Sequence, residues 1–217
     1  MKRTLIAAPA FVLALASLPA AAATTPAITA FDEAFAKVDD YTVTVHSHEV
    51  KGDRTQDRTY HYAFKRPHFA KTDIVAGEGA GSGGVWNGGT QVHGHLKVAF
   101  MTFGKRVDLH DPQATSLRGY TIPDGLIQNE VDKYKDIKGE LSQRPGPVID
   151  GVATDEVELK VADPSQNEGV TRMDLFLSKE THFPVRQVRW EGEKNVADTT
   201  FSDLKTNVGL KDSDFPF

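Results

Sequence analysis

From Tyr41 to Leu204 the sequence is a succession of short segments in which apolar and polar residues alternate, each closed by turn residues. A period of two puts alternate side chains on opposite faces of an extended chain, which commits such a sequence to sheet. Tyr41, Val43 and Val45 alternate with Thr42, Thr44 and His46; Tyr60, Tyr62 and Phe64 alternate with His61, Ala63 and Lys65. The spacing predicts strands over 41–50, 60–65, 69–75, 85–86 and 90–92, then over 137–143, 153–161, 171–178, 185–191 and 197–204. Asn87, Gly88 and Gly89 predict a hairpin turn because they tolerate positive φ. Pro145-Gly146, Asp150-Gly151, Pro164 with Asn167, and Glu191-Gly192 mark further turns. Strands joined this closely form an antiparallel meander.

Two stretches carry the helical period instead. Ile28, Phe31, Phe35 and Val38 recur at three and four residues, predicting a helix over 27–38. Leu126, Ile127, Val131 and Tyr134 predict a second near 123–135, with Asp124 as its N-cap or first-turn acid. The charged stretch 51–58 reads as a hairpin loop, and the glycine-rich stretch 77–84 as a flexible surface loop. Residues 96–122 support no assignment. No fixed-period repeat and no linker interrupt the chain, so residues 24–217 are expected to form one domain.

Residues 1–23 have the three parts of a cleavable secretory signal peptide: Lys2 and Arg3, an uncharged apolar stretch over 5–18, and small residues over 20–23. The apolar stretch is shorter than the roughly 20 residues a spanning helix needs, so export without a membrane anchor is expected. The chain has no cysteine, which excludes a disulfide framework and a lipid-bearing cysteine, and leaves stability to burial. The formal charge is −5, and −7 once Lys2 and Arg3 are removed, which is no footprint for nucleic acid.

Catalytic chemistry finds little support. The serines show no nucleophile elbow, and Val85-Trp86, not a lysine or a helix start, follows the glycines. No catalytic residue and no cofactor is therefore expected. His46 with His48, and His93 with His95, each place two imidazoles on one strand face. Such pairs on neighbouring strands, with His61 nearby, could hold zinc or copper; no metal-ligand set is assigned from them. Aromatic residues concentrate in the strand segments. A packed core and an apolar cavity under a helix are both compatible with that pattern.

Several segments together resemble the LolA-like superfamily of periplasmic lipoprotein carriers and their relatives. The features are an opening helix; the strand Tyr41 to Val45; Phe64, Lys65, Arg66 and Pro67 before Phe69; the hairpin from Val85 to Val92; Pro184 leading into a strand; and a closing strand around Phe201 with Phe215 beyond it. The block from Asp111 to Ile122 is most similar to uncharacterised LolA-related exported proteins. The resemblance implies an α+β, mostly β fold: a curved antiparallel open half-barrel with helices covering the concave face. It implies a periplasmic, monomeric, non-enzymatic protein that binds or carries a lipid, an acylated lipoprotein or a similar apolar ligand. On this reading Tyr41, Val43, Val45, Tyr62, Phe64, Trp86, Leu126 and Ile127 line the cavity. The helices act as a lid, and Arg118 ties the lid to the sheet rim by hydrogen bonds. An RseB-like envelope sensor with a protein partner, and metal binding through the His-x-His pairs, are the alternatives.

Overall fold

The computed structural model describes residues 24–98 and 101–217; the expected signal peptide lies outside the described residues. In chain order come helix α1 (Pro26–Phe35) and strands β1 (Asp40–Lys51), β2 (Arg54–Lys65), β3 (Phe69–Gly77), β4 (Gly83–Trp86), β5 (Gln91–Val98) and β6 (Met101–Asp108). A 3-10 turn (Pro123–Gly125) leads into helix α2 (Ile127–Asp136). Strands β7 (Gly139–Ile149), β8 (Val152–Val161), β9 (Arg172–Ser178), β10 (Pro184–Glu191) and β11 (Lys194–Thr206) follow.

All eleven strands form one antiparallel sheet in the order β6-β5-β4-β3-β2-β1-β11-β10-β9-β8-β7. It consists of two meanders joined along β1 and β11, with Tyr41 opposite Thr206 and Val45 opposite Phe201. The sheet does not close, because β6 and β7 are its two edges. The segment between them must therefore cross the full width of the sheet, and that crossing carries α2 over the concave face. The expected mostly β, open half-barrel with covering helices is the architecture found.

Period-two patterning decides what lies beneath the helices. Tyr41, Val43 and Val45 of β1, Tyr62 and Phe64 of β2, and Met173, Leu175 and Leu177 of β9 point inward and are buried. Helix α1 meets them with Ile28, Phe31 and Phe35; the Phe31 ring stands edge-on to Phe183 at 5.8 Å. The Thr25 hydroxyl caps α1, and Gln143 on β7 accepts from the free Ala27 N–H. At the other end the Arg66 guanidinium donates to the carbonyls of Val38 and Phe35 and lies over the Phe35 ring, a cation at a helix C-terminus. Lys135 on α2 bonds Asp32 on α1 at 3.0 Å, linking the two covering helices.

Several expectations need correction. The first hairpin turns at Gly52-Asp53, since Lys51 pairs with Arg54; the inward positions there are Gln56 and Arg58, so polarity hides the alternation. Gly83 and Gly84, expected in a loop, belong to β4. A Cβ on Gly83 would lie 2.3 Å from the Thr72 carbonyl oxygen, so only glycine lets β4 approach β3 this closely. Pro145-Gly146 makes a register shift inside β7, not a turn, which an edge strand tolerates because its outer N–H groups need no partner. The unassigned stretch 96–122 contains β6, exposed from Met101 to Arg106 and so under no pressure to alternate. Asp124 does not cap α2, where Leu126 holds the N-cap position; it is the first-turn acid of the preceding 3-10 turn, and its carboxylate accepts from the N–H and hydroxyl of Thr121.

Candidate functional site: a cavity on the concave face

Helices α1 and α2 lie over one part of the concave face. Beside them, between β1–β5, β10–β11 and the connection after β6, the sheet encloses a cavity of about 150 Å³. The apolar wall is built by inward positions of consecutive strands: Val45, Tyr60, Tyr62, Ile74, Val92 and Phe201. Ala114 and Ile122 of the connection close it from the opposite side, while Leu96 and Lys105 of the β5–β6 hairpin reach it at the sheet edge. Gly84 faces inward between Val92 and Ile122, where a Cβ would come within 2.8 Å of the Val92 side chain.

The end of the cavity near α2 is charged. Arg189 of β10 donates to Glu130 of α2 at 2.6 Å, both side chains being buried, and the Lys133 amine sits 3.2 Å from the same carboxylate oxygen. Burial opposes ionisation of Glu130, but Arg189 and Lys133 outweigh it and hold the carboxyl below its ordinary range. Burial and the neighbouring Arg189 push the Lys133 amine down, against the pull of Glu130. The Tyr120 ring lies under both cations, 4.3 Å from the Arg189 guanidinium and 5.4 Å from the Lys133 amine. Tyr120 and Arg189 also line a second cavity, of about 280 Å³, with His110, Asp124, Lys133 and Met173 among others.

The connection over the sheet is tied down at named points. Tyr62 donates its hydroxyl to the Ile122 carbonyl, and the Ile127 N–H donates to the Tyr41 hydroxyl at 3.1 Å, satisfying a free donor of α2. Burial pushes both phenols well above their usual range. Arg118 is buried at the rim. Its N–H donates to Glu49 at 2.8 Å, and its guanidinium donates to the Val50 carbonyl, the Glu168 carbonyl and the Glu191 carboxylate. Glu49 and Val50 stand at the end of β1, Glu191 at the end of β10 and Glu168 in the link between β8 and β9, so Arg118 joins the connection after β6 to the sheet rim.

Of the eight residues expected to line a cavity, Val45 and Tyr62 stand on its wall. Tyr41, Val43, Phe64, Leu126 and Ile127 are buried in the hydrophobic core away from that wall. Trp86 is half-buried against that core, its indole N–H donating to the Gly89 carbonyl at 2.7 Å. The sequence reading missed Glu130, Arg189 and Tyr120. Glu130 had a legible signal, being an acid within the apolar stripe Ile127, Val131, Tyr134. Arg189 had none, since its strand neighbour on the inward face, Gln187, is also polar.

The two His-x-His pairs do not meet. They lie on β1 and β5, with β2, β3 and β4 between them, which removes the premise of neighbouring strands. His48 bonds Asp57 at 2.7 Å and the His93 ring contacts Phe217. Among the described residues, those placed together as a possible cation site are instead Glu156, Glu158 and Asp174. Arg144 bonds both glutamates, and the Trp190 indole N–H donates to Asp174. These acids form an ion network on the convex face.

No family model matches the sequence, and no curated protein matches it. Solved structures do match the fold. MucB superimposes with a TM-score of 0.52 at 10% identity, over 89% of this chain and 63% of that one, so the chain spans less than two thirds of MucB. The Pseudomonas aeruginosa MucA/MucB complex gives 0.50 at 10% identity, over 89% and 61%. A LolA superfamily protein from Nitrosomonas europaea gives 0.43 at 15% identity, over 88% and 96%. The likeness to MucB is one of fold: an open antiparallel half-barrel whose concave face is covered by helices.

Proposed function

We propose that the protein is a periplasmic, non-enzymatic binding or carrier protein for a lipid, an acylated lipoprotein or a similar ligand with an apolar chain. The observation that carries this reading is the cavity wall of Val45, Tyr60, Tyr62, Ile74, Val92 and Phe201, an apolar surface that continues the hydrophobic core. Burial alone is enough for such a role, since each CH₂ taken out of water is worth about 0.8 kcal/mol. The connection carrying Arg118, Ile122 and α2 serves as the lid, and its tethers to Tyr41, Tyr62 and the sheet rim set the cost of lifting it. Native mass spectrometry of protein recovered from the envelope tests the reading. A retained lipid mass is expected; a clean apo mass together with no uptake of a fluorescent fatty acid overturns it.

A second reading, an envelope interaction module, is favoured by the likeness to MucB, which has been solved together with MucA. It predicts that a pull-down from envelope extract returns a specific protein partner.

A further inference from the structure

Strands β5 and β6 form a hairpin at one edge of the sheet. Seven large apolar side chains are exposed among the described residues, and three of them, Leu96, Met101 and Phe103, belong to this hairpin, at 36%, 48% and 50% exposure. Leu96 lies directly opposite Phe103, and Met101 is two residues from Phe103, so all three share a face. It is the concave face, because Leu96 also lines the cavity. The dry wall of the cavity thus continues outward along the hairpin into an uncovered apolar strip.

The charge on the hairpin is opposite in sign to that of the chain. From Gln91 to Val107 the sequence has no Asp or Glu but contains Lys97, Lys105 and Arg106, in a protein with 30 acidic residues and a net charge of −5. Lys105 stands on the apolar face at the cavity edge, while Lys97 and Arg106 occupy the other face. The Asp73 carboxylate of β3 lies 3.8 Å from His95, and the run of cations ends at Asp108. Exposed apolar side chains flanked by cations are the chemistry of a segment that seats in the headgroup region of an anionic bilayer.

We infer that the β5–β6 hairpin docks on an anionic membrane surface, with Leu96, Met101 and Phe103 in the interface and Lys97, Lys105 and Arg106 against lipid headgroups. This inference rests on the proposed lipid-binding function, because docking there would place the cavity edge at the membrane. The free margin of β6 could also pair with a second copy of the chain or with a partner strand; the charge segregation favours the bilayer.

Vesicle flotation tests it, using protein recovered from the envelope with its processed N-terminus verified by intact mass. Vesicles of phosphatidylethanolamine with phosphatidylglycerol should carry the protein to the top, vesicles of phosphatidylcholine should not, and added salt should weaken the association. Met101→Glu with Phe103→Glu, at positions outside the cavity wall, should lower flotation by roughly tenfold or more while the circular dichroism spectrum and retained-lipid mass stay unchanged. Wild-type protein that retains lipid but does not float would overturn docking and leave lipid binding standing. Equal flotation on both vesicle types, or equal flotation of the variant, would also overturn it. So would a dimer that the double substitution turns into a monomer without any flotation of the wild type.

Discussion

Glu130 on helix α2 and Arg189 on strand β10 meet at 2.6 Å beneath the connection that spans the sheet, both side chains almost wholly removed from water. The pair fixes the covering helix to the sheet through two groups that could not be left in that position singly. Removing one partner of such a pair costs about 3–5 kcal/mol where the other charge stays buried and unmatched; Lys133, 3.2 Å from the same Glu130 oxygen, reduces that cost when Arg189 is the partner removed. Arg189→Met should therefore lower unfolding free energy by less than about 3 kcal/mol, and Glu130→Leu with Arg189→Met should recover part of the loss. Urea unfolding of the wild type, both single variants and the double variant measures each value and the coupling between the sites.

The same carboxylate makes stability depend on pH. Its folded-state pKa is held below the ordinary value of 4.5, so its stabilising contribution is present above that value and disappears as pH falls through the lower, folded-state value. The stability difference between wild type and Glu130→Gln should be constant near neutrality and should shrink below pH 4.5. Urea unfolding of both proteins across the acid range reads this directly.

Filling the cavity should remove ligand without removing the fold. Thr199 of β11 points into the cavity next to Phe201, and its side chain is only half-buried. Thr199→Trp should abolish the retained lipid mass and fluorescent fatty-acid uptake. Its melting temperature should stay within a few degrees of wild type, corresponding to roughly 1 kcal/mol or less.

Asp40 anchors the chain after β11. Its buried carboxylate accepts from the N–H groups of Val208, Gly209 and Leu210, at 2.7 to 3.2 Å. Asp40→Ala leaves those donors without their acceptor and should cost about 1–3 kcal/mol. The same variant should be cut faster by protease between 207 and 211, which limited proteolysis with mass readout would show.

The sheet was legible in the sequence wherever one strand face is dry. Tyr41, Val43 and Val45, or Tyr60, Tyr62 and Phe64, alternate because they face the core and their neighbours face water. Where water reaches both faces, as on β6, or where the inward residues are polar, as Gln56, Arg58, Gln187 and Arg189 are, the period carries no hydrophobic signal. The site was legible only in part for a related reason. Val45, Val43 and Tyr41 share one face of one strand, and the sequence assigns all three the same environment. Only the placement of α1 and α2 decides that Tyr41 and Val43 lie wholly within the core while Val45, also buried, borders the cavity. Arg118 was found through the resemblance; its burial follows from the four hydrogen-bond partners offered by the ends of β1 and β10 and by the link between β8 and β9.

The seam between β1 and β11 has a kinetic meaning. It pairs Tyr41 with Thr206 at the centre of the sheet, so the contacts that unite the two meanders are among the most distant in the chain. Each meander can zip locally, hairpin by hairpin. Joining them requires closure of a loop that contains all the other strands, β2 to β10, and non-local pairing of this kind slows folding. A ribosome or export channel that has released everything except β11 holds a chain whose central strand is still an edge.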